Sequence, residues 1–213
     1  MPWRKTRDPY KILVSEVMLQ QTQVERVIPF YTEFTRRFPT AKKLARAPLR
    51  DVLAAWQGLG YNRRAKYLHT AAKLLCSAES LRSGEMNGSP TPPRRLSASQ
   101  FARRLPGVGP YTRGAVLAFA FNQPEVFIET NIRTVFLHHF RGTMIYHSNV
   151  SDAELLPLVA ESLRRSKMQP RDFYAAMMDY GAHLKSRGIK LNNRSSHYAK
   201  QSRLEGSARQ KRA

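Results

Sequence analysis

Leu105-Pro106-Gly107-Val108-Gly109-Pro110-Tyr111-Thr112 is the stretch on which the reading of the fold turns. Residues 97–104 ahead of it carry helical periodicity. Residues 110–121 form the most apolar helical segment of the chain, with Ala115, Val116, Leu117, Ala118, Phe119, Ala120 and Phe121. Two glycines two positions apart permit a tight turn whose backbone N–H groups point outward. Beside the N-terminus of the following helix, such groups make an anion site suited to a DNA phosphate. Gly-x-Gly alone also occurs in ordinary helix–helix turns, so the string gains its weight from the rest of the chain.

The charge supplies that weight. The 213 residues carry 36 Lys and Arg against 15 Asp and Glu, a formal net charge of +21. A compact protein with that excess repels itself unless a polyanion neutralises it, and phosphate contacts by Lys and Arg do so with release of counterions. A basic solvated face or an anionic lipid surface is the plainer alternative. Hydrophobic residues make up 42%, which excludes a disordered chain by composition. No apolar run approaches the ~18 residues of a membrane span. Met1-Pro2-Trp3-Arg4-Lys5 contains no apolar signal core, so a cytoplasmic place is expected. The single cysteine, Cys76, excludes an internal disulfide and any metal or cluster site built on several thiolates of this chain.

Outward from the hairpin the periodicity stays helical. Asp8 and Pro9 read as the N-cap and first residue of a helix whose stripe is Tyr10, Leu13, Val14, Val17 and Met18. Residues 24–38 continue in kind, with Pro29 as a break or a first-turn residue. Thr40 caps a short segment around Leu44. Pro48 opens another with Val52, Leu53 and Trp56 inward, ended by Gly58 and Gly60. Residues 62–78 are helical, and 82–99 read as a surface loop. Val126-Phe127-Ile128 is short and extended, and helices are predicted near 131–140, 151–165 and 170–185. From 188 onward seven Lys and Arg stand against Glu205, which predicts a basic tail that orders poorly or only against DNA.

With these segments in place, the hairpin string resembles that of the helix-hairpin-helix DNA glycosylases, the endonuclease III and MutY superfamily. Trp3-Arg4-Lys5, Asp8-Pro9-Tyr10-Lys11 and Ser15-Glu16-Val17-Met18-Leu19-Gln20-Gln21-Thr22-Gln23-Val24 closely resemble the MutY adenine glycosylases. So do Ile28-Pro29, Phe38-Pro39-Thr40 and Gly58-Leu59-Gly60-Tyr61, and Met177-Met178-Asp179-Tyr180-Gly181-Ala182 resembles the last helix of their catalytic domain. The similarity spans about residues 2–185. It implies an all-α, two-lobed helix-hairpin-helix glycosylase fold with a DNA cleft between a six-helix module and a second helical lobe. The six-helix module would cover 8–122, with the hairpin unit at about 97–121. The second lobe would combine 1–7 with 123–187, and 188–213 would be the basic tail in place of an iron–sulfur loop.

The resemblance assigns roles to particular residues. Glu16 lies beside the apolar stripe, partly desolvated and suited to handling a proton; by position alone it reads as an exposed helix glutamate. The matching family glutamate protonates the flipped purine at N7. Glu129, ahead of Thr130-Asn131 and a helix, would be held ionised by the helix N-terminus and face the oxocarbenium ion at C1′; the plainer reading is a capping glutamate. The family normally has Asp-Gly-Asn where this chain has Glu129-Thr130-Asn131, and the extra methylene displaces the carboxylate beyond the ~0.5 Å tolerance of catalytic constellations. Tyr111 and Asn131 would orient Glu129. Tyr111 stands where bifunctional relatives place a Schiff-base lysine, which implies a monofunctional enzyme. Gln21, with Gln20 beside it, matches the wedge that fills the vacated stack, and Tyr61 matches the aromatic that intercalates next to the orphan base, or is a core aromatic closing a turn. Gly107, Val108, Gly109 and Thr112 would meet phosphate, as would Arg4, Arg63, Arg64 and Lys66. Trp3 and Trp56 read as core.

The chain also departs from the family. Relatives usually follow the last helix with four cysteines that hold a [4Fe–4S] cluster; the stretch from His183 to Lys200 has none, so no iron–sulfur cluster and no other cofactor is expected. His183 and His197 lack acidic or thiol partners nearby, so no metal is expected. The C-terminal domain that recognises 8-oxoguanine, and the helix that usually precedes Trp3, do not appear in this sequence. The expected function is hydrolysis of adenine paired with 8-oxoguanine or guanine in base excision repair. The expected partner is mismatched or oxidised double-stranded DNA, met by a monomer without a membrane. A thymine or uracil mismatch glycosylase and a non-catalytic lesion binder are the alternatives.

Overall fold

Asp8 opens the first helix as its sequence predicts: its carboxylate accepts the N–H groups of Tyr10 and Lys11, and Pro9 occupies the first position. The computed structural model describes residues 1–80, 96–101, 104–140 and 150–196. Among them the regular elements are helical, apart from one parallel bridge between Val150 and Ser195. None of those helices is long and apolar enough to cross a membrane. The chain divides into two compact units, residues 1–123 and 124–213.

In the first unit α1 (Pro9–Leu19) is buried nearly all round: Ile12, Ser15 and Glu16 are covered along with the predicted stripe. α2 (Val24–Arg37) runs unbroken through Pro29. Pro29 is exposed, as is Glu25 four residues earlier, so water can satisfy the carbonyl that the proline leaves without a donor. α3 (Ala41–Arg46) is capped by Thr40, whose hydroxyl accepts the Lys43 N–H. α4 (Leu49–Trp56) delivers the fully buried Trp56, which meets Phe34 edge-on at 5.6 Å. α5 (Arg63–Ser80) follows, then the short α6 (Ala98–Phe101) and α7 (Pro110–Phe121), which lies against α1. Residues 98–101 of the predicted helix 97–104 are helical; residues 102–103 lie outside the described residues, as does most of the predicted loop 82–99. Residues 1–7, expected with the second lobe, belong to this unit: Trp3 packs against Tyr31 with ring centroids 5.3 Å apart, inside the same apolar core as α1.

The second unit starts with an extended segment. Phe127 stacks on Tyr174 at 4.0 Å, and the Tyr174 hydroxyl donates to the Glu125 carbonyl at 2.7 Å. α8 (Thr130–His139) packs against α9 (Asp152–Ser166), which opens with a Ser151–Glu154 capping box, and against α10 (Pro170–Ser186). α10 and α8 approach backbone to side at Gly181, where a Cβ would fall 2.2 Å from the Asn131 carbonyl oxygen.

α10 stops in a Schellman turn. Gly188, at φ +82, donates to the Lys185 carbonyl at 3.0 Å, and Ile189 donates to the Leu184 carbonyl at 3.0 Å. The chain then returns across α8. Leu191 and Ser195 are buried, and Asn192 donates to the Thr130 carbonyl and the Thr134 hydroxyl. Residues 188–196 are thus packed, which corrects the expectation that the tail begins at 188. Its remainder, 197–213, lies outside the described residues. The reason is local: Leu191, Asn192 and Ser195 are uncharged residues interspersed among the basic ones, and they make the contacts.

A methyl group at position 181 has backbone on its far side, and backbone cannot rotate away. Gly181→Ala is therefore expected to lower unfolding free energy by about 2–3 kcal/mol, at the upper end of overpacking costs, measured by urea denaturation. Unchanged stability would show that the α8–α10 contact is looser than described.

Candidate active site and DNA-facing loops

The first unit places Glu16 at the middle of its chemistry. α1 carries it into a surface that leaves only 5% exposed. Tyr111, in the first turn of α7, donates its hydroxyl to Glu16 Oε2 at 2.7 Å. The sequence reading assigned Tyr111 to Glu129. The packing of α7 alongside α1 gives its hydroxyl a partner in Glu16, which the sequence did not indicate. Gln20, the C-cap of α1, donates from Nε2 to the Gly107 carbonyl at 3.2 Å and to the Thr112 hydroxyl at 3.4 Å. The end of the helix bearing Glu16 is therefore tied to the hairpin.

Within the hairpin, Gly107 adopts φ +73, and a Cβ there would press on Tyr67 at 2.8 Å. The Val108 N–H closes the turn on the Leu105 carbonyl at 3.1 Å. It is thereby engaged inside the turn, which corrects the expectation that it points outward. Gly109 is exposed and forms the N-cap of α7. Thr112 is 2% exposed and faces Gln20, so its predicted DNA contact is not on the surface.

Arg64 is the residue whose role the sequence misread. Expected as a phosphate contact, it is buried, and its guanidinium donates to the carbonyls of Val17, Met18 and Gln20 at 3.1, 2.7 and 2.7 Å. It also reaches the Thr22 hydroxyl at 3.2 Å and the Gly60 carbonyl at 3.1 Å. These are carbonyls that the C-terminus of α1 cannot satisfy within the helix. The missed signal was periodicity: Arg64 shares the inward stripe of Ala65, Leu68, Ala71, Ala72 and Leu75.

Both predicted wedges extend from the chain that Arg64 holds. Gln21 and Tyr61 take φ values of +56 and +52, in the left-handed region that non-glycine residues rarely adopt, and both are exposed. Tyr61 lies under the Arg64 guanidinium at 5.3 Å. Arg4 and Arg63 are exposed as expected, Arg63 over the Tyr67 ring at 5.2 Å.

In the second unit Glu129 caps α8. Its Oε1 accepts the N–H groups of Asn131 at 2.7 Å and Ile132 at 2.9 Å. The side chain thus folds back onto the N-terminus of its own helix. Burial pushes the Glu129 carboxyl above its ordinary value; the two amides, Lys185 and Arg133 pull downward without offsetting it. The Asn131 side chain points to Lys185, whose Nζ donates to Oδ1 at 2.7 Å. Asn131 thus meets Glu129 through its backbone. Among the described residues, no three His, Cys, Asp or Glu side chains gather as metal ligands.

Two measurements test this geometry. Arg64→Lys keeps the charge and loses the fork, leaving several buried carbonyls without donors. It is expected to cost about 2 kcal/mol or more in urea unfolding; full stability with weakened DNA binding alone would return Arg64 to a phosphate role. For Glu129 the raised folded value means that the stability accompanying its protonated form is complete below the ordinary carboxylate range and is lost as pH rises through the raised value. Glu129→Gln should raise Tm at pH 7, by about 2–4 °C per kcal/mol recovered, and the advantage should vanish in acid. A lower Tm at pH 7 would contradict it.

The pattern of the HhH-GPD superfamily base excision DNA repair proteins matches residues 14–155, from within α1 into the start of α9. The adenine DNA glycosylase of Buchnera aphidicola is 35% identical over 184 residues, covering 85% of this chain and 47% of that protein. That of Mycolicibacterium smegmatis is 37% identical over 183 residues, covering 85% and 57%. That of Homo sapiens is 35% identical over 190 residues, covering 85% and 32%. The chain therefore spans between about a third and somewhat over half of these relatives' lengths. Among solved structures, a thermostable thymine-DNA glycosylase superposes with a TM-score of 0.64 at 27% identity, over 85% of this chain and 77% of that one. The match over most of the chain, on the helices that carry Glu16, Tyr111 and the hairpin, establishes that this protein belongs to the HhH-GPD superfamily of base excision DNA repair proteins.

Proposed function

We propose that the chain is a monofunctional DNA glycosylase that hydrolyses the N-glycosidic bond of adenine mispaired with 8-oxoguanine or guanine. The observation that carries this reading is Glu16: a carboxyl buried on a helix of MutY-like sequence, with one oxygen held by the Tyr111 hydroxyl. A carboxyl oriented in that way can deliver its proton to a purine nitrogen and turn the base into a neutral leaving group. Glu129, when ionised, stabilises the positive charge left on the sugar, and water completes the hydrolysis. Position 111 offers a phenol rather than an amine, so no imine forms there and the strand stays intact. The net charge of +21 supplies affinity for the DNA backbone.

The donor set does not fit a [4Fe–4S] cluster. Such a cluster takes four thiolates, and the chain has Cys76 alone, on α5. We infer that the chain works without one, as a monomer on DNA in the cytoplasm. A second reading, removal of thymine or uracil from mismatches, is favoured by the likeness to the thymine-DNA glycosylase structure.

Duplexes carrying A:8-oxoguanine, A:G, G:T and G:U, each assayed for abasic sites, separate these readings. Release from A:8-oxoguanine and A:G, without strand cleavage and without borohydride trapping, is the expected result. Release confined to G:T or G:U establishes the second reading, and binding without release from any duplex makes the chain a lesion binder.

A further inference from the structure

Two residues one turn apart on α10 converge on Asn131, the second residue of α8. Gly181 brings the α10 backbone against Asn131 so closely that a Cβ would lie 2.7 Å from the Asn131 Cβ. Four residues on, and so on the same helix face, Lys185 donates to Asn131 Oδ1 at 2.7 Å. The Asn131 N–H in turn donates to Glu129 Oε1 at 2.7 Å. An ammonium, an amide and a carboxylate are thereby linked across α10 and α8. We propose that Lys185 is a positioning residue for Glu129: it anchors, through the side-chain carbonyl of Asn131, the residue whose backbone N–H holds the carboxylate, and it supplies positive charge to the surroundings of that carboxylate.

Other charges around Glu129 are accounted for. On α8 itself, Arg133 also draws Glu129 down, while its guanidinium is engaged with Asp152 of α9 through bonds of 2.7 and 2.8 Å. Glu154 of α9 is turned onto Ser151. At the far end of α8, His139 meets Tyr180 of α10 at 2.7 Å. The returning segment contributes the uncharged amide of Asn192. Of the two cations that act on Glu129, Arg133 is bonded to a carboxylate and Lys185 to an amide oxygen. Its ammonium is pushed down by burial and drawn up by Glu129, and Glu129 is drawn down by Lys185, so each favours the other's charged form.

The inference rests on the reading of Glu129 as the anion of a glycosylase, and its test has one arm that does not need activity. Lys185→Gln keeps a donor for Asn131 and removes the charge; Lys185→Met removes both; Lys185→Arg keeps the charge. In single-turnover base release, the acid limb of the pH–rate profile should move upward by about one unit in the Gln and Met variants and stay in place in the Arg variant. A limb unmoved by loss of the charge overturns the proposal. In the second arm, the Tm gain from Glu129→Gln at pH 7 is measured in the wild-type chain and in Lys185→Gln. A larger gain without Lys185 supports the proposal, and an equal gain overturns it. If no duplex releases a base, the glycosylase reading fails while the second arm still decides the role of Lys185.

Discussion

The guanidinium of Arg64 is the contact on which the first unit depends. A helix end leaves carbonyls without partners, and burying such an end among apolar side chains carries a large desolvation cost. α1 has to end inside the protein, because its last turn connects the buried Glu16 to the chain at Gln20 and Gln21. Arg64 resolves this by donating to three carbonyls of that turn while gripping the turn at Gly60. One planar cation therefore fixes the helix of the acid and the two strained, exposed residues Gln21 and Tyr61 relative to each other. Lysine, with a point charge on a flexible stem, could not reproduce that geometry.

The second unit faces a different conflict. Glu129 is placed where burial opposes its charge, and helix amides and Lys185 oppose burial. A residue chosen for stability alone would not be ionisable there. Sites that carry chemistry commonly retain such groups at a cost to stability. The Glu129 carboxylate reaches the N-terminus of its own helix by folding back on it.

Much of this was legible in the sequence because it is local. Asp8-Pro9, Thr40 and the apolar stripes fix helix starts and inner faces by rules that need no tertiary information. Pro29 was ambiguous, since solvent exposure decides whether a proline breaks a helix, and exposure is not written in adjacent residues. The bond from Tyr111 to Glu16 was not legible because hydroxyl direction depends on how α7 lies on α1. Arg64 was misread for the opposite reason: its periodicity placed it inward, but a charge of +21 invites every arginine to be counted as a phosphate ligand. Residues 188–196 were assigned to a tail because their charge outweighed Leu191 and Asn192, which dock them.

The central claim is that Glu16 supplies the proton that releases the base. The most direct measurement is single-turnover base release by Glu16→Gln beside its affinity for the same A:8-oxoguanine duplex. Glutamine keeps the size of the side chain and an oxygen for the Tyr111 hydroxyl, but has no proton to give. The account predicts unchanged duplex affinity with base release abolished. Base release at near wild-type rate would remove Glu16 from the chemistry and contradict the account.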